Sequence, residues 1–175
     1  MVRTLPDLLR PGLDLVFVGI NPGEESARRG HYYAHPGNAF WPALSASPLV
    51  PRPVTREDDR WLYEAAGIGF TDVVKRVVTD SSAVTDAELR AAVPHFRARI
   101  AYAHPRAVCF TTTRGFAACF PKVRAANAWG RQPVMLENTE VWLMPSTSGR
   151  AAGHRAHVHT VLADLARELH EVRAA

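Results

Sequence analysis

Apolar residues along this chain fall into short runs and helical stripes separated by stretches rich in proline and glycine. Leu13–Gly19 (LDLVFVG) is a β-branched apolar run closed by glycine, the pattern of a buried strand. INPGEES follows as turn chemistry, and Asn38 is placed to cap a short helix through AFWPALSAS, with Pro42 in its first turn. Ser47–Pro53 holds three prolines and reads as a connecting loop. Thr55 then opens a helix over REDDRWLYEAA, with acids in the first turn, which Gly67 and Gly69 end. Thr85–Glu88 is a capping box ahead of Leu89, Val93, Phe96 and Ile100 at helical spacing, and Pro94 is expected to kink that helix. Ala107–Thr111 reads as a second buried strand and Gly115–Phe120 as a short helix. Val134–Leu136 and Val141–Met144 read as two strands around a turn at Glu137–Thr139. Val158, Val161, Leu162, Leu165, Leu169 and Val172 share one face of a last helix. Strands alternating with helices predict a three-layer α/β/α fold with a short, mostly parallel central sheet.

Composition narrows the class. At 175 residues and 47% apolar, the chain suits one compact domain over 1–175, and we see no internal repeat or linker. Its apolar runs are far shorter than the roughly 20 residues a membrane span needs, and MVRTLPDLLRPGLD lacks the apolar region of a secretion signal. Cys109 and Cys119 are too few for a disulfide scaffold or a four-cysteine cluster, which fits a reducing cytoplasm. Net charge is +4, and of the 21 basic residues only Lys75 and Lys122 are lysines. The 19 arginines supply planar donor forks suited to phosphate, although alanine-rich composition gives a bland account of the same bias.

In an open α/β sheet, ligands bind beyond the carboxyl ends of the strands. Two loops there stand out: Gly19-Ile20-Asn21-Pro22-Gly23, and Met144-Pro145-Ser146-Thr147-Ser148-Gly149-Arg150. Each alone is equally readable as an ordinary turn or a helix-capping loop. Their order shifts the balance. GINPGEESARRGHYYAHPGNAFW at 19–41, GFTDVVKR at 69–76 and MPSTSGR at 144–150 together resemble the mismatch-specific uracil/thymine-DNA glycosylase family, over nearly the whole chain from about Leu13. Other uracil-DNA glycosylase families carry a catalytic aspartate in a GQDPYH-type first motif and a histidine in the second. Here Asn21 and Met144 stand at those places, and the cysteines of the iron–sulfur branches are missing.

The resemblance implies a uracil-DNA glycosylase-like fold and hydrolysis of the bond between base and deoxyribose. Such a bond breaks through an oxocarbenium-like sugar, so the site needs an oriented water and donors for the departing base rather than a strong base. By resemblance Asn21 is the catalytic position, Tyr33 the aromatic on which the extruded base stacks, Ile20 a pocket wall and Ser26 a neighbour of the pocket. Ser146, Thr147, Ser148, Gly149 and Arg150 are the loop that enters the duplex, with Arg150 filling the vacated place and the serines contacting phosphate. Ser148 stands where the bacterial branch often has a leucine wedge. Asp72 stands where relatives have lysine or asparagine, and is either a second group acting on water or an exposed turn or helix-capping aspartate. His31 and His35 have the spacing of a helical metal pair, but lie in irregular surroundings, so no metal is expected. His154, His157 and His159 are read as polar or DNA-side residues of the last helix.

The expectation is therefore a cofactor-free, monomeric, monofunctional enzyme that removes uracil from G:U mismatches in double-stranded DNA, with thymine or damaged bases as an extension. Monofunctional action follows because no lysine falls in either motif, Lys75 being the nearest. The alternatives are a non-catalytic module that binds damaged DNA and a hydrolase of free nucleosides.

Overall fold

The computed structural model describes residues 4–123 and 129–174, except the side chains of residues 150–152, 172 and 173. Its centre is a five-stranded sheet of order β2-β1-β3-β5-β4, formed by β1 (Leu15–Gly19), β2 (Ile68–Asp72), β3 (Ala107–Phe110), β4 (Gly130–Leu136) and β5 (Thr139–Leu143). The β1–β2, β1–β3 and β3–β5 pairs are parallel, and only β4 runs antiparallel to β5. The mostly parallel sheet of the sequence reading is thus observed, in register Gly19 opposite Asp72 and Val18 opposite Phe110.

Period-two alternation divides the sheet's side chains between two cores. Leu15, Phe17, Ile68, Phe70, Cys109 and Trp142 face one side with α2 (Phe40–Ser45), the stretch at 56–66 and α6 (Arg155–Ala174). Val16, Val18, Val108, Phe110, Val141 and Leu143 face the other, under α4 (Asp86–Ala103) and α5 (Thr113–Cys119). Burial on both faces explains why β1 reads as an unbroken apolar run. The two free thiols lie in opposite cores, Cys109 in the first and Cys119 in the second.

Local signals act where the sequence placed them. Thr85 Oγ1 accepts from the Glu88 N–H at 3.1 Å to start α4, and the helix runs on through Pro94. The helical stretch after Thr55 opens with a reciprocal cap to Asp58. It is 3-10 over Arg56–Asp58, α over Asp59–Trp61 (α3) and π over Leu62–Ala66, and Gly67 ends it in the left-handed region at φ 71°. Asn38 Oδ1 accepts from the Phe40 N–H, so its capping bond is made just before α2.

Two elements depart from the sequence reading. Gly69 does not terminate a helix: it lies within β2, where an added Cβ would fall 2.4 Å from Leu8 O and 2.6 Å from Leu13 Cδ1. That close approach exists because Leu8 pairs antiparallel with Phe70, with bonds of 2.9 and 3.1 Å, and so covers the free edge of β2. β4 also starts earlier than expected and contains Pro133, as an edge strand permits. Gly69→Ala is expected to cost about 1–3 kcal/mol through overpacking, read as a lowered denaturation midpoint. An unchanged midpoint would show that the Leu8 segment yields freely.

Candidate active site

The chain beyond β1 and the chain beyond β2 are laced together. Val73 N–H donates to Gly19 O at 3.0 Å, Val74 N–H to Ile20 O at 2.8 Å, and Val78 N–H to Pro22 O at 3.2 Å. Asn21 sits inside this lacing. Its Nδ2 donates to Pro22 O at 3.0 Å and to Val78 O at 2.9 Å. Both partners are carbonyls, which only accept, so the amide can take one orientation alone. Its Oδ1 is buried and has no partner within the protein. An immobilised acceptor with free lone pairs is suited to hold a donor such as water.

Tyr33 is brought to the same end of the sheet by a loop tied at both sides. α1 (Glu24–Arg29) begins after Gly23 and ends at Gly30, with Glu25 pairing Arg28 and Arg29. Buried Asp59 takes the His31 ring through Oδ1 at 2.9 Å and the Tyr32 N–H through Oδ2 at 3.1 Å. Ser26 Oγ accepts from the Ala34 N–H at 3.1 Å, and Trp41 Nε1 donates to Tyr32 O at 3.0 Å. Between these clamps Tyr33 is held at φ 51°, a left-handed backbone that costs a non-glycine residue energy. Its half-buried ring stacks on Phe40 at 4.2 Å between centroids, and its hydroxyl lies 3.5 Å from Thr111 Oγ1.

Gly19 joins these parts. A Cβ there would meet Asp72 Oδ1 at 2.5 Å and the Tyr33 hydroxyl at 3.7 Å, so the space of the missing side chain holds a carboxylate under a tyrosine. Asp72 is therefore neither an exposed turn residue nor a helix cap. It ends β2, is 4% exposed, and its Oδ2 is buried with no hydrogen-bond partner. Lys75 Nζ is 3.8 Å from that oxygen, close enough for attraction but too far for a hydrogen bond. Burial pushes the Asp72 carboxyl up to about 7, against the pull of Lys75. Tyr32 and Tyr33 are both driven far above the usual phenol range by burial and by the charge of Asp72.

The distal loop packs onto the loop that follows Tyr33. Ala39 N–H donates to Thr147 O at 2.9 Å, and a Cβ on Gly149 would lie 3.8 Å from Gly37 O. Thr147 is buried, whereas Ser148 and Gly149 are exposed. Ser146 Oγ accepts from the Ser148 N–H at 3.2 Å and bonds Ser148 Oγ at 3.1 Å, shaping a compact turn. Arg150 lies in the 3-10 turn Gly149–His154 that leads into α6, and its side chain lies outside the described residues.

The fold thus gathers Tyr33, Asp72 and the Asn21 loop at the carboxyl ends of β1 and β2, with the 146–149 loop against the 37–39 segment. Ile20 stands apart from the tyrosine: its side chain is packed in the α4–α5 core and its carbonyl is used by Val74. Ser26 holds the Tyr33 loop through Ala34. His31 is spent on Asp59, His35 Nδ1 accepts from the Gly37 N–H, and His154 and His157 pack against Trp129. Among the described residues no group of three or more His, Cys, Asp or Glu is arranged to hold a metal. No helix among them is long and apolar enough to cross a membrane. Thr111 and Val78, which touch Tyr33 and Asn21, were not singled out from sequence; Thr111 was read only as the last residue of a buried strand, which in the structure ends one residue earlier, at Phe110.

Comparison with known proteins agrees with this fold. The family model described as the uracil DNA glycosylase superfamily matches residues 6–168. Among solved structures, the solution NMR structure of a "putative Uracil DNA glycosylase" from Methanosarcina acetivorans shares the fold with a TM-score of 0.55. Identity is 20%, over 94% of this chain and 98% of that one.

The raised Asp72 carboxyl has a stability consequence. Between its ordinary 3.8 and about 7 the folded chain keeps a proton that the unfolded chain releases, so stability falls as pH rises through that window. Asp72→Asn removes the buried charge. It is expected to stabilise the protein by roughly 1–3 kcal/mol at pH 8 and little at pH 4, measured by urea unfolding at both. Equal effects at the two values would contradict a raised carboxyl.

Proposed function

The chain belongs to the uracil DNA glycosylase superfamily, and from that premise we propose a monofunctional enzyme that hydrolyses the N-glycosidic bond of uracil in double-stranded DNA. Members of the superfamily are DNA glycosylases; the finer reading is a preference for uracil opposite guanine, with thymine or other damaged bases as an extension. The observation that carries it is the Asn21 amide, whose nitrogen is pinned by two carbonyls while its oxygen is buried and unpartnered.

In this reading the uracil is extruded and rests on the Tyr33 ring, which Phe40 backs. Asn21 Oδ1 accepts a hydrogen bond from the attacking water. As the C1′–N1 bond breaks, its electron pair leaves with the base and positive charge grows on the sugar. The water oxygen bonds C1′ and its proton passes to the Asp72 carboxylate. Each donor aimed at the departing anion supplies about 3–4 kcal/mol. Lys75 is a poor nucleophile here: its ammonium lies 2.9 Å from Asp7 Oδ1, which supports hydrolysis over Schiff-base chemistry. The turn formed by Ser146 and Ser148, with Thr147, Gly149 and Arg150, is read as the part that enters the duplex.

A gel assay of base release from G:U, A:U, G:T and single-stranded uracil substrates tests this. We expect the fastest release from G:U, and Asn21→Ala is expected to lose about 100-fold or more. Because the Asp72 carboxyl lies near 7, the rate should rise with pH through that value. Asp72→Asn should flatten the rise and slow the reaction about 10- to 100-fold. Unchanged turnover in Asp72→Asn, beside a dead Asn21→Ala, would leave Asp72 a structural residue. Binding to G:U without release would identify a damage-binding module, and activity on free deoxyuridine alone a nucleoside hydrolase.

A further inference from the structure

Three charged groups surround the Asp72 carboxylate, yet none forms a hydrogen bond with its buried Oδ2. Lys75 follows it in the chain, Arg99 reaches over from α4, and Asp7 comes from the segment that covers the β2 edge. Tyr32 and Tyr33 complete the surroundings as neutral phenols. Both cations are turned toward Asp7. Lys75 Nζ lies 2.9 Å from Asp7 Oδ1 but 3.8 Å from Asp72 Oδ2. Arg99 Nε lies 2.9 Å from Asp7 Oδ2, while its NH2 donates to the backbone carbonyl of Asp72 at 2.6 Å. Thr71 Oγ1 adds a bond to Asp7 Oδ1 at 2.7 Å. Asp7 is fixed in place because Leu8 is paired with Phe70, and Thr4 Oγ1 donates to Lys75 O at 2.5 Å.

We infer that Asp7 is a positioning residue which, by drawing Lys75 and Arg99 onto its own carboxylate, keeps the Asp72 carboxylate without a hydrogen bond from either cation and so available to take a proton. The inference rests on the reading of Asp72 as the group that accepts the proton of water. A carboxylate in contact with an ammonium is a weaker base than one held apart from it. Asp7 acts twice in the same direction, since it withholds Lys75 and its own negative charge also disfavours a second anion nearby. The carboxyl of Asp72 at about 7 accords with this arrangement. An edge segment far from the motifs of the sequence thereby sets the chemistry of the residue at the sheet's end.

Carboxyl carbon NMR of the full chain reads Asp72 directly, its signal being assigned by its loss in Asp72→Asn. Asp7→Asn is expected to lower the Asp72 midpoint by about one pH unit, and Lys75→Met to raise it. The acid limb of single-turnover base release should move in the same directions, and Asp7→Glu should restore the original profile. An Asp72 midpoint that stays put in Asp7→Asn overturns the inference, as does a slower rate with an unmoved acid limb. Should Asp7→Asn fail to fold, the midpoint in Lys75→Met decides: no upward shift would mean that Lys75 exerts no pull for Asp7 to limit. If the midpoint moves as expected but Asp72→Asn keeps full activity, it is the catalytic reading of Asp72 that fails, while the control of its ionisation by Asp7 stands.

Discussion

A carboxylate buried without a hydrogen-bond partner on one oxygen is the constraint around which this structure is arranged. Leaving a buried polar group unmatched costs about 1–3 kcal/mol, and more for a charged one. Asp72 and Asn21 each carry such an atom, at the ends of neighbouring strands. What offsets them is the two-sided core beneath: Phe17, Phe40 and Phe70 on one face and Val18, Phe96 and Phe110 on the other are essentially sealed from solvent. The parallel register then leaves no freedom. With Gly19 opposite Asp72, any side chain at position 19 would occupy the space of the carboxylate.

The same logic explains the unusual backbone at Tyr33. Its left-handed conformation is strained, and it persists because Asp59, Ser26 and Trp41 determine the residues on both sides. The strained Tyr33 backbone and the unmatched Asn21 and Asp72 oxygens therefore occur together at the carboxyl ends of β1 and β2. Stability is lower there than it could be, which is the expected signature of a working site on an otherwise consistent fold.

Much of this was legible in the sequence, and what was not has a common cause. β1, β3 and α4 announce themselves through local patterns: a continuous apolar run or a capping box followed by a helical stripe. The Asn21 loop and the 146–149 loop were picked out by composition and order. β2 escaped because Gly67 and Gly69 resemble a helix stop, and only the approach of Leu8 reveals that Gly69 is a packing glycine. The burial of Asp72 was equally hidden, since it depends on which residue of β1 lies opposite. Ile20 was grouped with the site through the resemblance, but its side chain packs into the core under α4 and α5, a placement the motif alone does not give. Asp7 could not be anticipated at all: nothing in its local context separates it from any other acid near a chain's beginning.

The two thiols offer a way to watch this architecture at work. Cys109 is sealed in the layer that carries α2 and α6, and Cys119 in the layer that carries α4 and α5. Burial holds both well above the ordinary thiol range, Cys119 at about 12, so neither reacts while its layer is closed. Each is consequently a natural clock for the opening of its own half: alkylation at the first marks excursions of the layer bearing the tyrosine platform, alkylation at the second those of the layer beyond. The chain thus carries a reporter on either side of its sheet, installed without any substitution and told apart once cleavage at Arg114 places the two thiols on different peptides.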